Sequence, residues 1–401
     1  MKAGVFLFYL SFCIHALQAA RINKKAIIGY FPNWLNGTFP VSKVDFTKYT
    51  HIHYAFALMV DGHLPTWENA SHVEKELPQL VSAAHKEGAK VLTSLGGWTG
   101  SITFSKMANN TKTRKDFVNW CINHMKKYKT DGIDIDWEYP GRQGAGCNTV
   151  DEDNDVDNFL KLLKELRQEV DKQFKSNKKE ITIAASVSLL KSNVSDFAHV
   201  LDRVNVMTYD INGAWNEQTG PNSPLYAPEG SFSFSSAIEG WIKAGIPTNK
   251  IAGGIAFYGR STTAKENMLK TKSIYQDQVK SVVPKGDSKD TTQSDAYCPA
   301  DNGAYSGTWR FNHLLSEGVL STPLKAKLPW VRTWDNSTAT PWLFNPKTKT
   351  FLTYDDPESI AKKACYSLKK DLAGVMIWSV DQDTDKLDLL NAAYKIRNGK
   401  C

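Results

Sequence analysis

Eight short runs rich in β-branched and aromatic residues recur along this chain, with stretches of helical spacing between them. The runs are Ala26–Phe31, Thr50–Phe56, Lys90–Leu95, Gly132–Glu138, Ile181–Val187, Val204–Tyr209, Ala252–Phe257 and Ala373–Ser379. The helical spacing is clearest at Val156, Phe159, Leu160, Leu163, Leu166 and Val170, which fall on one face of a 3.6-residue repeat. Alternation of this kind builds a parallel sheet, since a helix-length crossover is needed to start the next strand in the same direction. Eight such units are the number that closes the sheet on itself. The fold class is therefore α/β, a (β/α)8 TIM barrel.

The spacing breaks once. Over a hundred residues separate Phe257 from Ala373, with a charged, Ser/Thr-rich stretch near Lys280–Ser294 and then apolar runs such as Pro341–Phe344 and Thr350–Tyr354. A small α+β module inserted between strand 7 and strand 8 accounts for them, because the eighth strand still follows. The expected organisation is a leader at 1–20, the barrel at 21–260 and 347–401, and the module at 261–346.

Lys2, the apolar run Val5–Ile14 and the small residues Ala19 and Ala20 have the form of a secretory signal peptide. The run is too short to span a bilayer, so the mature chain is expected to be secreted, extracellular and not held in a membrane. Five Asn-X-Ser/Thr sequons, at Asn36, Asn69, Asn109, Asn193 and Asn336, suit that route. The formal charge of +7 is interspersed along the chain, which speaks for solubility and against a nucleic-acid partner. Cys13 lies in the leader, leaving Cys121, Cys147, Cys298, Cys365 and Cys401. Five is odd, so at least one thiol is free or intermolecular, and the spacings do not give the pairing. No Cys/His metal pattern occurs, and neither a metal nor a cofactor is expected.

The chemistry concentrates at the fourth run, Asp131-Gly-Ile-Asp134-Ile-Asp136-Trp-Glu138. On a strand, Asp134, Asp136 and Glu138 share one face, with Ile133, Ile135 and Trp137 on the other. Three neighbouring carboxylates repel one another and are costly to desolvate, an arrangement that folding alone has no use for. The other runs end in Tyr30 and Trp34, in Phe56, in Ser94-Leu-Gly-Gly97-Trp98, in Met207-Thr-Tyr209-Asp210 followed by Trp215, in Tyr258-Gly-Arg260, and in Met376-Ile-Trp378. Strand C-termini form the active face of such barrels. The twelve tryptophans suit sugar stacking at that face.

These segments resemble the glycoside hydrolase family 18 chitinases. The DGxDxDWE signature is complete at 131–138, SxGG stands at 94–97 and MTYD at 207–210; the likeness runs from about residue 25 to about 395. The resemblance implies hydrolysis of β-1,4 bonds between N-acetylglucosamine units of chitin, with retention. In this family the substrate's own 2-acetamido oxygen is the nucleophile. It further implies Glu138 as the general acid, Asp136 orienting the acetamido group, Asp134 sharing a proton with Asp136, and Tyr209 with Asp210 holding the acetamido group. Tyr30, Phe56, Trp34, Gly97, Trp98, Met207, Trp215, Tyr258, Arg260, Met376 and Trp378 are then expected to bind substrate, with Gly96 and Gly97 serving backbone geometry and Asp131 the scaffold. The chain departs from the family pattern at Ala256, where proline is usual, and at Thr99, where asparagine is common. Chitin and chito-oligosaccharides are the expected partners, and the chain is expected to act as a monomer. The alternatives are an endo-β-N-acetylglucosaminidase on N-glycans and a non-catalytic chitin-binding lectin.

Overall fold

The structure, a computed structural model, describes residues 24–35, 37–292, 295–299 and 303–401. The expected leader and the sequon residue Asn36 lie outside the described residues.

Eight parallel strands close into a barrel: Ala26–Pro32, His51–Ala57, Lys90–Gly96, Gly132–Asp136, Glu180–Ser186, Arg203–Met207, Ile251–Ala256 and Gly374–Trp378. They are called here the first to eighth strands. Closure is made by the first and eighth, with Ala26 opposite Gly374 and Gly29 opposite Ile377. The fourth strand stops at Asp136, two residues short of the expected run, so Trp137 and Glu138 continue past the sheet. The face pattern persists nonetheless. Ile133, Ile135 and Trp137 enter the main core outside the barrel, and the Trp137 ring stacks 5.3 Å from Phe104.

That outer core lies between the sheet and helices such as Ala70–Lys86, Thr111–Tyr128, Asp155–Gln173 and Pro357–Lys369. Helix Asp155–Gln173 buries the stripe expected of it, including Phe159, Leu163, Leu166 and Val170. Each such side chain contributes about 1.5–3 kcal/mol on leaving water. Asn69 and Asn110 cap their helices by accepting from His72 N and Lys112 N, satisfying donors that have no partner inside the helix.

Between the seventh and eighth strands stands a five-stranded antiparallel sheet in the order Val331–Asp335, Thr340–Asn345, Thr350–Thr353, Tyr258–Thr263, Thr308–Arg310. The sheet extends past both ends of 261–346. Its strand Tyr258–Thr263 follows directly on the seventh barrel strand and pairs with Thr350–Thr353, Leu352 lying opposite Ser261. That pairing joins segments far apart in sequence, and no local pattern announces it. Trp342, Phe344 and Phe351 give the module a small core of its own.

Two disulfides, Cys147–Cys298 and Cys365–Cys401, leave Cys121 buried and unpaired. The first ties the module to the loop after the fourth strand. A Thr99 Oγ1 hydrogen bond to Asp295, 2.9 Å long, ties it to the loop after the third, so the departure at Thr99 serves this junction. The four described sequon asparagines are exposed, and no described helix is long and apolar enough to cross a membrane.

Candidate active site

Strand register brings polar residues from five strands to Asp134. Ser94 lies opposite it on the third strand and Thr182 on the fifth. Asp134 accepts from Tyr30 Oη at 2.7 Å, Ser94 Oγ at 2.8 Å, Thr182 Oγ1 at 2.5 Å and Asn205 Nδ2 at 3.3 Å. His53 Nδ1 lies 3.2 Å from the same carboxylate, at ion-pair distance. Burial works to raise the Asp134 carboxyl, but His53 and the hydroxyl donors outweigh it and hold the group well below the usual carboxylate range. Both Asp134 oxygens are thus occupied by donors.

Asp136 is the opposite case. It is 4% exposed, and its Oδ1 finds no hydrogen-bond partner in the protein. Burial, then the charges of Glu138 and Asp134, push its proton affinity well up. Glu138, half-buried beyond the strand end, is raised to about 7, mainly by burial; a hydrogen bond from Tyr139 and the nearby Arg142 oppose the rise, while Asp210 adds to it. The ladder therefore divides into one carboxylate anchored by donors and two carboxyls of raised proton affinity.

The third strand's end fixes this geometry. The Gly97 N–H donates to the Asp136 carbonyl at 2.8 Å, and Gly97 has a φ of +79°, open to glycine at little cost. A Cβ there would press on the Phe56 ring at 2.7 Å. Buried Ser101 accepts from the Glu138 N–H at 2.9 Å and donates to the Gly97 carbonyl at 2.8 Å, joining the two loops. Asp131 lies at the other end of the fourth strand, where it accepts from the Val91 N–H at 2.8 Å and meets His85 at 2.7 Å. It takes no part in the site.

An aromatic cluster gathers at the same end of the barrel. Phe56 stacks on Trp378 at 5.6 Å and on Trp34 at 6.1 Å, with Tyr30 5.7 Å from Trp378. Met207 and Met376 pack into this cluster. The Tyr209 hydroxyl has only the Met376 sulfur, 3.5 Å away, a weak acceptor that leaves it free for a better one. Burial and the neighbouring Tyr258, Asp136 and Asp210 keep that phenol protonated. Asp210 takes Tyr258 Oη at 2.8 Å and Arg260 Nε at 2.6 Å. The Arg260 guanidinium also lies 5.2 Å over the Trp215 ring. Trp34, Trp98 and Trp215 are 44%, 46% and 50% exposed, large apolar surface left at the barrel mouth. Ala256, the other departure, is buried opposite Trp378, and the Phe257 N–H donates to the Trp378 carbonyl at 2.8 Å.

The structure thus gathers every expected site residue at one end of the barrel. Sequence reasoning did not single out His53, Thr182, Asn205 or Ser101. The first three stand at inward-facing strand positions, where a polar residue in an otherwise apolar run is the available signal. Among the described residues there is no cluster of three His, Cys, Asp or Glu arranged for a metal.

The family model of the glycosyl hydrolases family 18 matches residues 26–383. The chain belongs to this family. A chitinase-like effector of Moniliophthora roreri is 36% identical, over 88% of each chain. The crystal structure of a chitinase from Rhizomucor miehei superposes with a TM-score of 0.84 at 32% identity, covering 93% of this chain and all of that one. A Group IV chitinase of Ostrinia furnacalis solved with allosamidin has a TM-score of 0.78 at 26% identity, over 94% of this chain and 99% of that one. Membership makes the chain a glycoside hydrolase by family, and the barrel is the family's fold.

Proposed function

We propose that the chain is an active chitinase, a secreted monomer that cleaves β-1,4 bonds between N-acetylglucosamine units with retention. The observation that carries this reading is the buried, unpartnered Asp136 Oδ1 beside Glu138, whose proton affinity burial raises. A sugar bound over Trp378 brings its acetamido N–H to Asp136, and Tyr209 donates to the acetamido oxygen. The oxygen is thereby held for attack on the anomeric carbon, and the Asp136 Oδ1, which has no partner in the protein, accepts from the acetamido N–H as positive charge develops on the resulting ring. Glu138 gives its proton to the departing glycosidic oxygen and then, as a carboxylate, takes one from the incoming water. Asp134, fixed as an anion by five side chains, keeps the proton affinity of Asp136 high. The substrate supplies the nucleophile, so the scheme needs no cofactor.

A second reading has one specific support. A relative at 36% identity is named a chitinase-like effector, which leaves open a chain that binds chitin without cleaving it. Turnover of N-acetylchitotetraose by the purified chain decides between the two, and we expect turnover. A high-mannose glycopeptide included beside it tests the endo-β-N-acetylglucosaminidase alternative.

The raised Glu138 carboxyl fixes the pH dependence. The general acid works only while it holds its proton. Activity as kcat/KM is therefore expected on the acid side and lost as pH rises through about 7. A rate profile still rising at pH 9 would place the acid elsewhere.

A further inference from the structure

On the outer wall of the barrel, a cavity of about 290 Å3 opens between helix Ala70–Lys86 and helix Thr111–Tyr128. It is lined by Trp67, Glu74, Trp120, Asn123, His124 and Lys127, among others. Trp120, Asn123, His124 and Lys127 fall at i, i+3, i+4 and i+7, one stripe along the second helix. Neighbouring strand residues show that this pocket is separate from the mouth. Tyr54 points outward, its ring 5.8 Å from Trp67, while His53 beside it points inward to Asp134. Likewise Thr93 Oγ1 meets His124 Nε2 at 2.9 Å on the outside, while Ser94 bonds Asp134 inside. The wall of the second and third strands therefore lies between the two places.

We infer that this flank pocket is a second saccharide-binding site, which takes an N-acetylglucosamine unit of the polymer outside the catalytic cleft. The inference rests on chitin being the substrate proposed above. The indoles of Trp67 and Trp120 are half-buried, with the His124 ring 5.8 Å from the first and 4.7 Å from the second. Such a surface suits the apolar C–H face of a pyranose. Glu74 and Lys127 pair at 2.9 Å on the rim, so the rim carries no net charge and offers little to a phosphate or a free ion. Burial and the adjacent Lys127 keep His124 neutral, its pKa lowered to about 3. Asn123, Glu74 and Lys127 supply donors and acceptors for hydroxyl and acetamido groups at the ring edge. The volume lies just below the usual range for ligand pockets, about 300–1,000 Å3, and suits one sugar. Contact of insoluble chitin with the flank adds to adsorption without altering the chemistry at the cleft.

The test uses the full chain with Trp67→Ala and Trp120→Ala, each checked by thermal melting. Adsorption to insoluble chitin is expected to weaken roughly tenfold, while turnover of soluble N-acetylchitotetraose stays unchanged. Unchanged adsorption in both folded variants, or equal loss on soluble and insoluble substrate, overturns the inference. Should either variant fail to fold, the Glu138→Gln chain is titrated with N-acetylchitobiose and the indole N–H resonances of Trp67 and Trp120 are followed. A saturable shift of these signals supports the site, and its absence overturns it. A native chain that adsorbs through Trp120 but never hydrolyses chitin would refute the activity proposed above and leave this site standing.

Discussion

The Glu138→Gln chain is expected to bind chito-oligosaccharides as the native chain does and to hydrolyse them at least about a thousandfold more slowly. Glutamine keeps the size and the hydrogen-bonding edge of the side chain but has no proton to give. The loss should fall on kcat with the dissociation constant little changed, since the acid acts in the transition state and the aromatic mouth does the binding. Initial rates and calorimetric titration on the same preparation separate the two quantities. A variant within tenfold of native turnover would show that another group protonates the leaving oxygen.

The second large effect is expected at Asp134. Replacement by alanine removes the common acceptor of Tyr30, Ser94, Thr182 and Asn205, and the carboxylate 3.2 Å from His53, all at the fully buried centre of the barrel. Leaving such partners unpaired costs about 3–5 kcal/mol, and we expect the stability of the Asp134→Ala chain to fall by that amount in chemical denaturation. Asp134→Asn preserves an acceptor and should lose less. The native contribution has a sign in pH. The folded-state pKa of Asp134 lies below its unfolded value, so its stabilisation is complete above the unfolded pKa and is lost as pH falls through the folded one. The deficit of Asp134→Ala relative to native should therefore be full at neutral pH and shrink in acid. A variant as stable as native at neutral pH would contradict the account of the cradle.

The barrel and the mouth were legible in the chain because both follow from local periodicity. Strand alternation put Asp134 and Asp136 inside and Ile133, Ile135 and Trp137 outside, and the resemblance assigned the strand ends. What stayed hidden depends on contacts across the fold. Thr182, Asn205 and His53 matter only because closure points them at one carboxylate, and single strands do not announce their neighbours' register. The division of labour within the ladder had the same origin. Spacing placed the three carboxylates together, but only the donors around Asp134 determine which of them remains an anion. Module limits were missed because Tyr258–Thr263 continues from the seventh strand and finds its partner at Thr350–Thr353. The Cys147–Cys298 link spans 151 residues and has no local signature.

The central claim is that the substrate's acetamido group, held by Asp136 and Tyr209, attacks the anomeric carbon and is displaced by water with Glu138 as acid and then base. Time-resolved proton NMR of N-acetylchitotetraose hydrolysis by the native chain tests it most directly, read before the new reducing ends mutarotate. Two inversions at one carbon return the starting configuration, so the new reducing end should appear first as the β-anomer. An initial α-anomer would contradict acetamido participation, and no new reducing end at all would contradict catalysis.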